Sequence, residues 1–145
     1  MPFRRGSRNA KVELLRSVSL FSACSNRELT RIASLADEIE VPEGRVLIRQ
    51  GEPGREFFVI IEGKAKVLRR GRRAKTLGPG AGIGELSLLD QGPRSATVTA
   101  TSDMYLLVLD SRSFSSLIAE VPSVTGKIFR VMAERLRDAE QAGVH

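Results

Sequence analysis

Between residues 38 and 109 glycine and proline interrupt the chain so often that only short extended segments fit between the breaks. The intervening runs are rich in β-branched and aromatic residues and fall at 38–41, 45–49, 57–61, 65–69, 73–77, 96–101 and 104–109. Gly51-Glu52-Pro53-Gly54 and Gly78-Pro79-Gly80 are strong turn signals, and Gly71 between paired arginines marks a hairpin tip. Many short strands with regular turns predict a barrel or jelly roll.

The flanks follow a helical rhythm. Residues 1–8 read as a basic flexible arm, and residues 9–145 as one folded domain. A short helix is expected from Asn9 through Val12, Leu14 and Leu15. Ser25-Asn26-Arg27-Glu28 has the form of a capping box, in which Ser25 and Glu28 satisfy each other's free amides. It opens a second helix over 26–36. Beyond the strands, Ser111 is placed to cap a helix carrying Phe114, Leu117 and Ile118. Pro122 opens another, whose apolar positions Val124, Ile128, Val131, Met132 and Leu136 form one stripe.

Composition removes whole classes of chemistry. One cysteine, Cys24, makes neither an internal disulfide nor a metal centre by itself. The one histidine, His145, is the last residue, a poor place for a general base. With no other histidine and no carboxylate cluster at metal spacing, the reading is of a protein that is not an enzyme and holds no metal or cofactor. The hydrophobic fraction of 41% and mean hydropathy of −0.11 suit a globular chain, and no apolar run approaches bilayer length, so a cytoplasmic location and no membrane partner are expected. The net charge of +6 comes from two stretches. One is Arg4, Arg5, Arg8 and Lys11. The other is Lys64, Lys66, Arg69, Arg70, Arg72, Arg73 and Lys75. A solvated face is the plain reading of both, and nucleic-acid binding by the basic hairpin is the alternative; apart from Phe3, neither stretch has the interleaved aromatics that bind single strands.

The segment 82–98 interrupts the strand pattern and carries the chemistry. It reads Gly82-Ile83-Gly84-Glu85-Leu86-Ser87-Leu88-Leu89-Asp90-Gln91-Gly92-Pro93-Arg94-Ser95-Ala96-Thr97-Val98. Gly82 and Gly84 permit close backbone approach to a ligand. Residues 85–90 suit one helical turn, whose free amides attract an anion. Arg94, stiffened by Pro93, suits a bidentate phosphate contact. Glu85 is an acceptor for a hydroxyl. A small ligand with a phosphate and a sugar hydroxyl would satisfy both, while a plain Glu85–Arg94 ion pair or two solvated side chains would account for the same residues.

The segment closely resembles the phosphate-binding cassette of the cyclic nucleotide-binding domain family, which includes regulatory subunits of cAMP-dependent protein kinase, cyclic-nucleotide-gated channels and bacterial catabolite-activator-type transcription factors. The family pattern of Gly-Glu, four apolar or small residues, a short spacer and Pro-Arg-small-Ala-Thr is met at Gly84-Glu85 and at 93–97. Gly51, Gly63 and Gly80 fall where the family keeps turn glycines, and the likeness covers residues 12–137. Ile83 replaces the commoner phenylalanine and Ser87 the commoner alanine.

The resemblance implies a mainly β fold: an eight-stranded jelly-roll barrel with N-terminal helices and C-terminal lid helices. It implies that Glu85 accepts from the ribose 2′-hydroxyl and Arg94 pairs with the cyclic phosphate. Gly84, Leu86, Ser87, Ser95 and Ala96 complete the ligand-binding set, with the amides of Leu86, Ser87 and Ser95 forming the phosphate nest. It also implies a base pocket that includes Val98, and a lid over 122–141 with Met132, Arg135 and Leu136 near the base. The expected ligand is cAMP, because bacterial-looking members mostly use it; a threonine after the arginine would favour cGMP, and Ser95 can bond either. No helix-turn-helix follows the lid, so a protein effector in trans, or in the rest of a longer chain, is the expected partner.

Overall fold

The structure, a computed structural model, describes residues 3–143. Its strands are β1 (Asp37–Val41), β2 (Val46–Ile48), β3 (Glu56–Glu62), β4 (Ala65–Arg69), β5 (Arg72–Leu77), β6 (Gly82–Ile83), β7 (Thr97–Ala100) and β8 (Met104–Asp110). They form two four-stranded antiparallel sheets, ordered β1-β8-β3-β6 and β2-β7-β4-β5. The helices are α1 (Arg8–Arg16), α2 (Asn26–Ala33), α3 (Ser111–Glu120) and α4 (Pro122–Gly143), with short 3₁₀ turns at Ser19–Phe21 and Glu85–Leu88. The jelly roll is thus an eight-stranded sandwich flanked by helices at both ends of the chain.

The strand sequences explain the layering. In β3 all five residues from Phe57 to Ile61 are buried, and β8 is apolar from Met104 to Leu109. A strand that is apolar on both sides needs cover on both faces. Phe57, Val59 and Ile61 join Tyr105, Leu107 and Leu109 in a core shared with the helices. Their alternates Phe58, Ile60, Met104 and Leu106 face the second sheet, against Val67, Ala96, Val98 and Ala100. The second sheet is covered on one face only, so β7 and β4 alternate buried with partly exposed residues.

The helical layer is pinned by caps and charge. Ser25 and Glu28 make the reciprocal capping box. Glu28 is also buried against α4, where it accepts from Ser123 Oγ at 2.5 Å and pairs with Lys127 Nζ. Burial pushes its carboxyl up, but the bonds from Lys127, Ser123 and Ser25 outweigh this and hold it at about 2. The neighbouring thiol of Cys24 is pushed up to about 11, by burial first and the Glu28 charge second.

Several boundaries differ from expectation. The second helix ends at Ala33, and Leu35 and Ala36 close it with tight turns back to Ile32 and Ala33. The two-residue β6 is too short to leave a periodic signal. Ser111 is the first residue of α3 and not its cap; it is buried, and its hydroxyl accepts from Gln91. Met1 and Pro2 of the basic arm, and His145, lie outside the described residues. Within the arm Ser7 caps α1, while Arg5 bridges Glu40 and Glu62, both at 2.9 Å, and stacks over the Tyr105 ring.

Candidate functional site

The interrupted segment leaves the end of β6, which pairs with β3 through Phe58↔Ile83 and Val59↔Gly82. Gly84 then turns the chain with a left-handed backbone at φ 77°. A Cβ there would run into Arg94 Nη1, so glycine is required on both conformational and steric grounds. The 3₁₀ turn Glu85–Leu88 follows, leaving Leu86 exposed and burying Ser87. Ser87 braces the turn: its amide donates to Gly84 O at 3.0 Å, and its hydroxyl lies 2.6 Å from Gly84 O and 2.9 Å from Glu56 O.

Arg94 arrives on a loop tied to the β2–β3 connection. Gly54 N donates to Gly92 O, Arg94 N to Glu52 O, and Gly51 N to Arg94 O, at 2.8–3.1 Å. The side chain lies beside Gly54 and Gly84, where a Cβ on Gly54 would stand 3.1 Å from its Cζ. Nη2 donates to Glu56 O at 2.8 Å. Nη1 is buried with no hydrogen-bond partner. Desolvation lowers the pKa of this guanidinium more than the Glu56 charge raises it. A buried donor nitrogen left unpaired is costly, and an anion placed against it would relieve that cost.

Beside these groups lies a cavity of 550 Å³ lined by Gly84, Glu85, Leu86, Ser87, Arg94 and Ser95, together with Ile48, Phe57 and Ser17–Ser19. Six of the seven expected ligand-binding residues therefore meet at one site. Ala96, the seventh, is buried in the core between the sheets just before β7, and so is Val98, expected at the base pocket, which alternation along β7 turns inward; neither lines the cavity.

Glu85 and Arg94 do not pair with each other. Glu85 Oε1 is held instead by Arg135 Nη1 of α4 at 2.9 Å, and Arg135 Nη2 donates to Ser19 Oγ at 2.6 Å. Of the three residues expected near the base, Arg135 alone reaches the turn. Met132 packs against the helical core, and Leu136 is 65% exposed. Ser19 and the Glu56 carbonyl were not foreseen. A carbonyl carries no residue signature, and Ser19 reaches the site only through the docking of α4. Among the described residues, no group of three His, Cys, Asp or Glu is arranged to hold a metal, and no helix is long and apolar enough to cross a membrane.

Comparison with known proteins agrees with this geometry. The model of the cyclic nucleotide-binding domain matches residues 38–121. The chain is 29% identical over 130 residues to a CRP-like cAMP-activated global transcriptional regulator of Mycobacterium tuberculosis, covering 86% of this chain and 58% of that protein. It is 37% identical over 136 residues to a cyclic nucleotide-gated potassium channel of Mesorhizobium japonicum, covering 94% and 38%. Among solved structures, the N-terminal domain of a transcriptional regulator from Streptomyces coelicolor superposes with a TM-score of 0.83 at 33% identity, over 90% of this chain and 94% of that one. The chain belongs to the cyclic nucleotide-binding domain family. It spans little more than half of the first relative and less than half of the second.

Proposed function

We propose that this chain is a cAMP receptor domain that acts on a protein effector through its C-terminal helix. The observation that carries the reading is Arg94: a half-buried guanidinium, fixed by Glu56 O, with its second nitrogen buried beside Gly84 and unpaired. The cyclic phosphate takes that nitrogen, with the Leu86 and Ser95 amides beside it and Ser87 as the brace. Glu85 accepts from the ribose 2′-hydroxyl. The cAMP-activated relative favours cAMP over cGMP, while Ser95 can bond either.

Because Arg135 holds Glu85, ribose and α4 compete for one carboxylate. A ligand that binds better when Arg135 has let go shifts the helix toward release, and the effector reads that shift.

Calorimetric titration with cAMP and cGMP, with Arg94→Ala alongside, tests the site. Loss of the charge-assisted contact from Nη1 costs about 1.5–3 kcal/mol, or roughly one to two decades of affinity. Arg94→Lys is also expected to bind weakly, since a point charge does not reproduce the fork. A folded wild-type protein, free of co-purified nucleotide, that binds neither ligand would remove the proposal. Proteolysis of the 122–141 helix tests the switch separately: protection that cAMP leaves unchanged would sink it.

A further inference from the structure

The β4–β5 hairpin contributes no residue to the lining of the cavity. Seven cations fall between Lys64 and Lys75 with no acid among them, more positive charge than the net +6 of the whole chain. β5 is an edge strand. None of the seven takes part in an ion pair among the described residues.

Charge on an edge strand is an ordinary guard against strand-to-strand aggregation, and Arg73 and Lys75 need no further explanation. The tip is different. Arg69 stands directly opposite Arg72, a cross-strand pairing of like charges that destabilises a hairpin. Arg70 has φ 53°, and no other non-glycine described residue has a positive φ. With Gly71 at φ 77° it forms a turn in which asparagine or glycine is the favoured first residue. The chain thus keeps two locally unfavourable arrangements, and both serve to gather exposed guanidinium groups at one point. Gln50 Oε1 accepts from Arg70 N at 2.9 Å and sets this tip beside the exposed Arg49. Along the outer face Lys66 is in register with Thr76 and Thr99, which adds hydroxyl donors to the charge.

We infer that the Arg69–Arg73 tip is a second binding surface, one that grips the phosphate backbone of a nucleic-acid duplex without reading its sequence. Planar guanidinium forks match phosphate oxygens, and a two-stranded ribbon fits the major groove. The stretch from Gly63 to Gly84 has no aromatic residue for stacking on unpaired bases, and the Arg69–Arg73 tip carries no large apolar side chain to enter a bilayer. The surface is separate from the cavity and does not depend on which nucleotide the cavity takes.

The test is fluorescence anisotropy of a short labelled DNA duplex of random sequence, titrated with the purified chain at several salt concentrations. The variant is Arg70→Asn/Arg72→Gln, where asparagine suits the turn and the fold is kept. The control, Arg112→Gln/Arg137→Gln, removes the same charge from exposed helix positions. Wild type and control are expected to bind with a steep salt dependence. The hairpin variant is expected to bind about tenfold more weakly, with a log–log salt slope shallower by roughly 1.8. Its thermal midpoint should be equal or higher, because strain and repulsion are removed. Parallel arms use phosphatidylserine–phosphatidylcholine vesicles and polyglutamate. Binding to either of these and not to the duplex overturns the proposal, as does no duplex binding, or an equal loss in variant and control.

Discussion

The two ends of α4 are held by the same kind of bond in different surroundings. At the base, Lys127 and Ser123 close on Glu28, whose side chain is 7% exposed and already committed to capping α2. Farther out, Arg135 meets Glu85 with both side chains partly open, at 34% and 24%. An ion pair that is buried and cross-linked by hydrogen bonds is lost only at high cost, whereas a half-exposed one contributes little. The base of the helix thus belongs to the scaffold, and its outer half rests on Glu85, the residue expected to meet the ribose.

Removing the base contact should have the largest effect. Glu28→Ala deletes a capping box and strands Lys127, and denaturant unfolding should show a loss of about 2–4 kcal/mol. A loss within error of zero would erase the contrast between the two ends. Next comes acid. Glu28 has a folded pKa of about 2 against an ordinary 4.5, so its stabilisation is complete above the unfolded value and is lost as pH falls from 4.5 through 2. Stability measured across that window should decline in wild type, and Glu28→Gln should flatten the decline. Arg135→Ala should cost at most about 1 kcal/mol of stability, yet raise cyclic-nucleotide affinity up to about fivefold by freeing Glu85. A fall in affinity would mean that Arg135 serves the ligand and does not compete with it. Smallest of all, Leu136→Gln on the exposed outer half should move stability by less than about 0.5 kcal/mol.

What the sequence disclosed followed how local each feature is. The site turn and Arg94 were legible because glycine, acid, proline and arginine must stand at fixed spacing within one segment. The capping box at Ser25 and Glu28 was legible for the same reason. The partner of Glu85 was not, since the choice between Arg94, water and a distant helix depends on how α4 docks. The helical stripe held part of that answer. Val124, Ile128 and Val131 are buried, and the same alternation of four and three continues to Arg135, not to Leu136. Reading Leu136 into the stripe followed its apolar character over its angle. Val98 shows a comparable dependence: two-residue alternation along β7 sets it in the core between the sheets, whatever its nearness to Arg94 in sequence.

Cys24 has a practical consequence for testing the proposed release of α4. It is the only thiol in the chain, it is buried, and its pKa stands at about 11. At neutral pH it holds almost no thiolate, the form that reacts with maleimides. The natural protein is therefore its own blank for labelling. A cysteine introduced at the exposed Arg137 would carry a fluorophore alone, and the outer half of α4 could be followed optically with the native residue left in place.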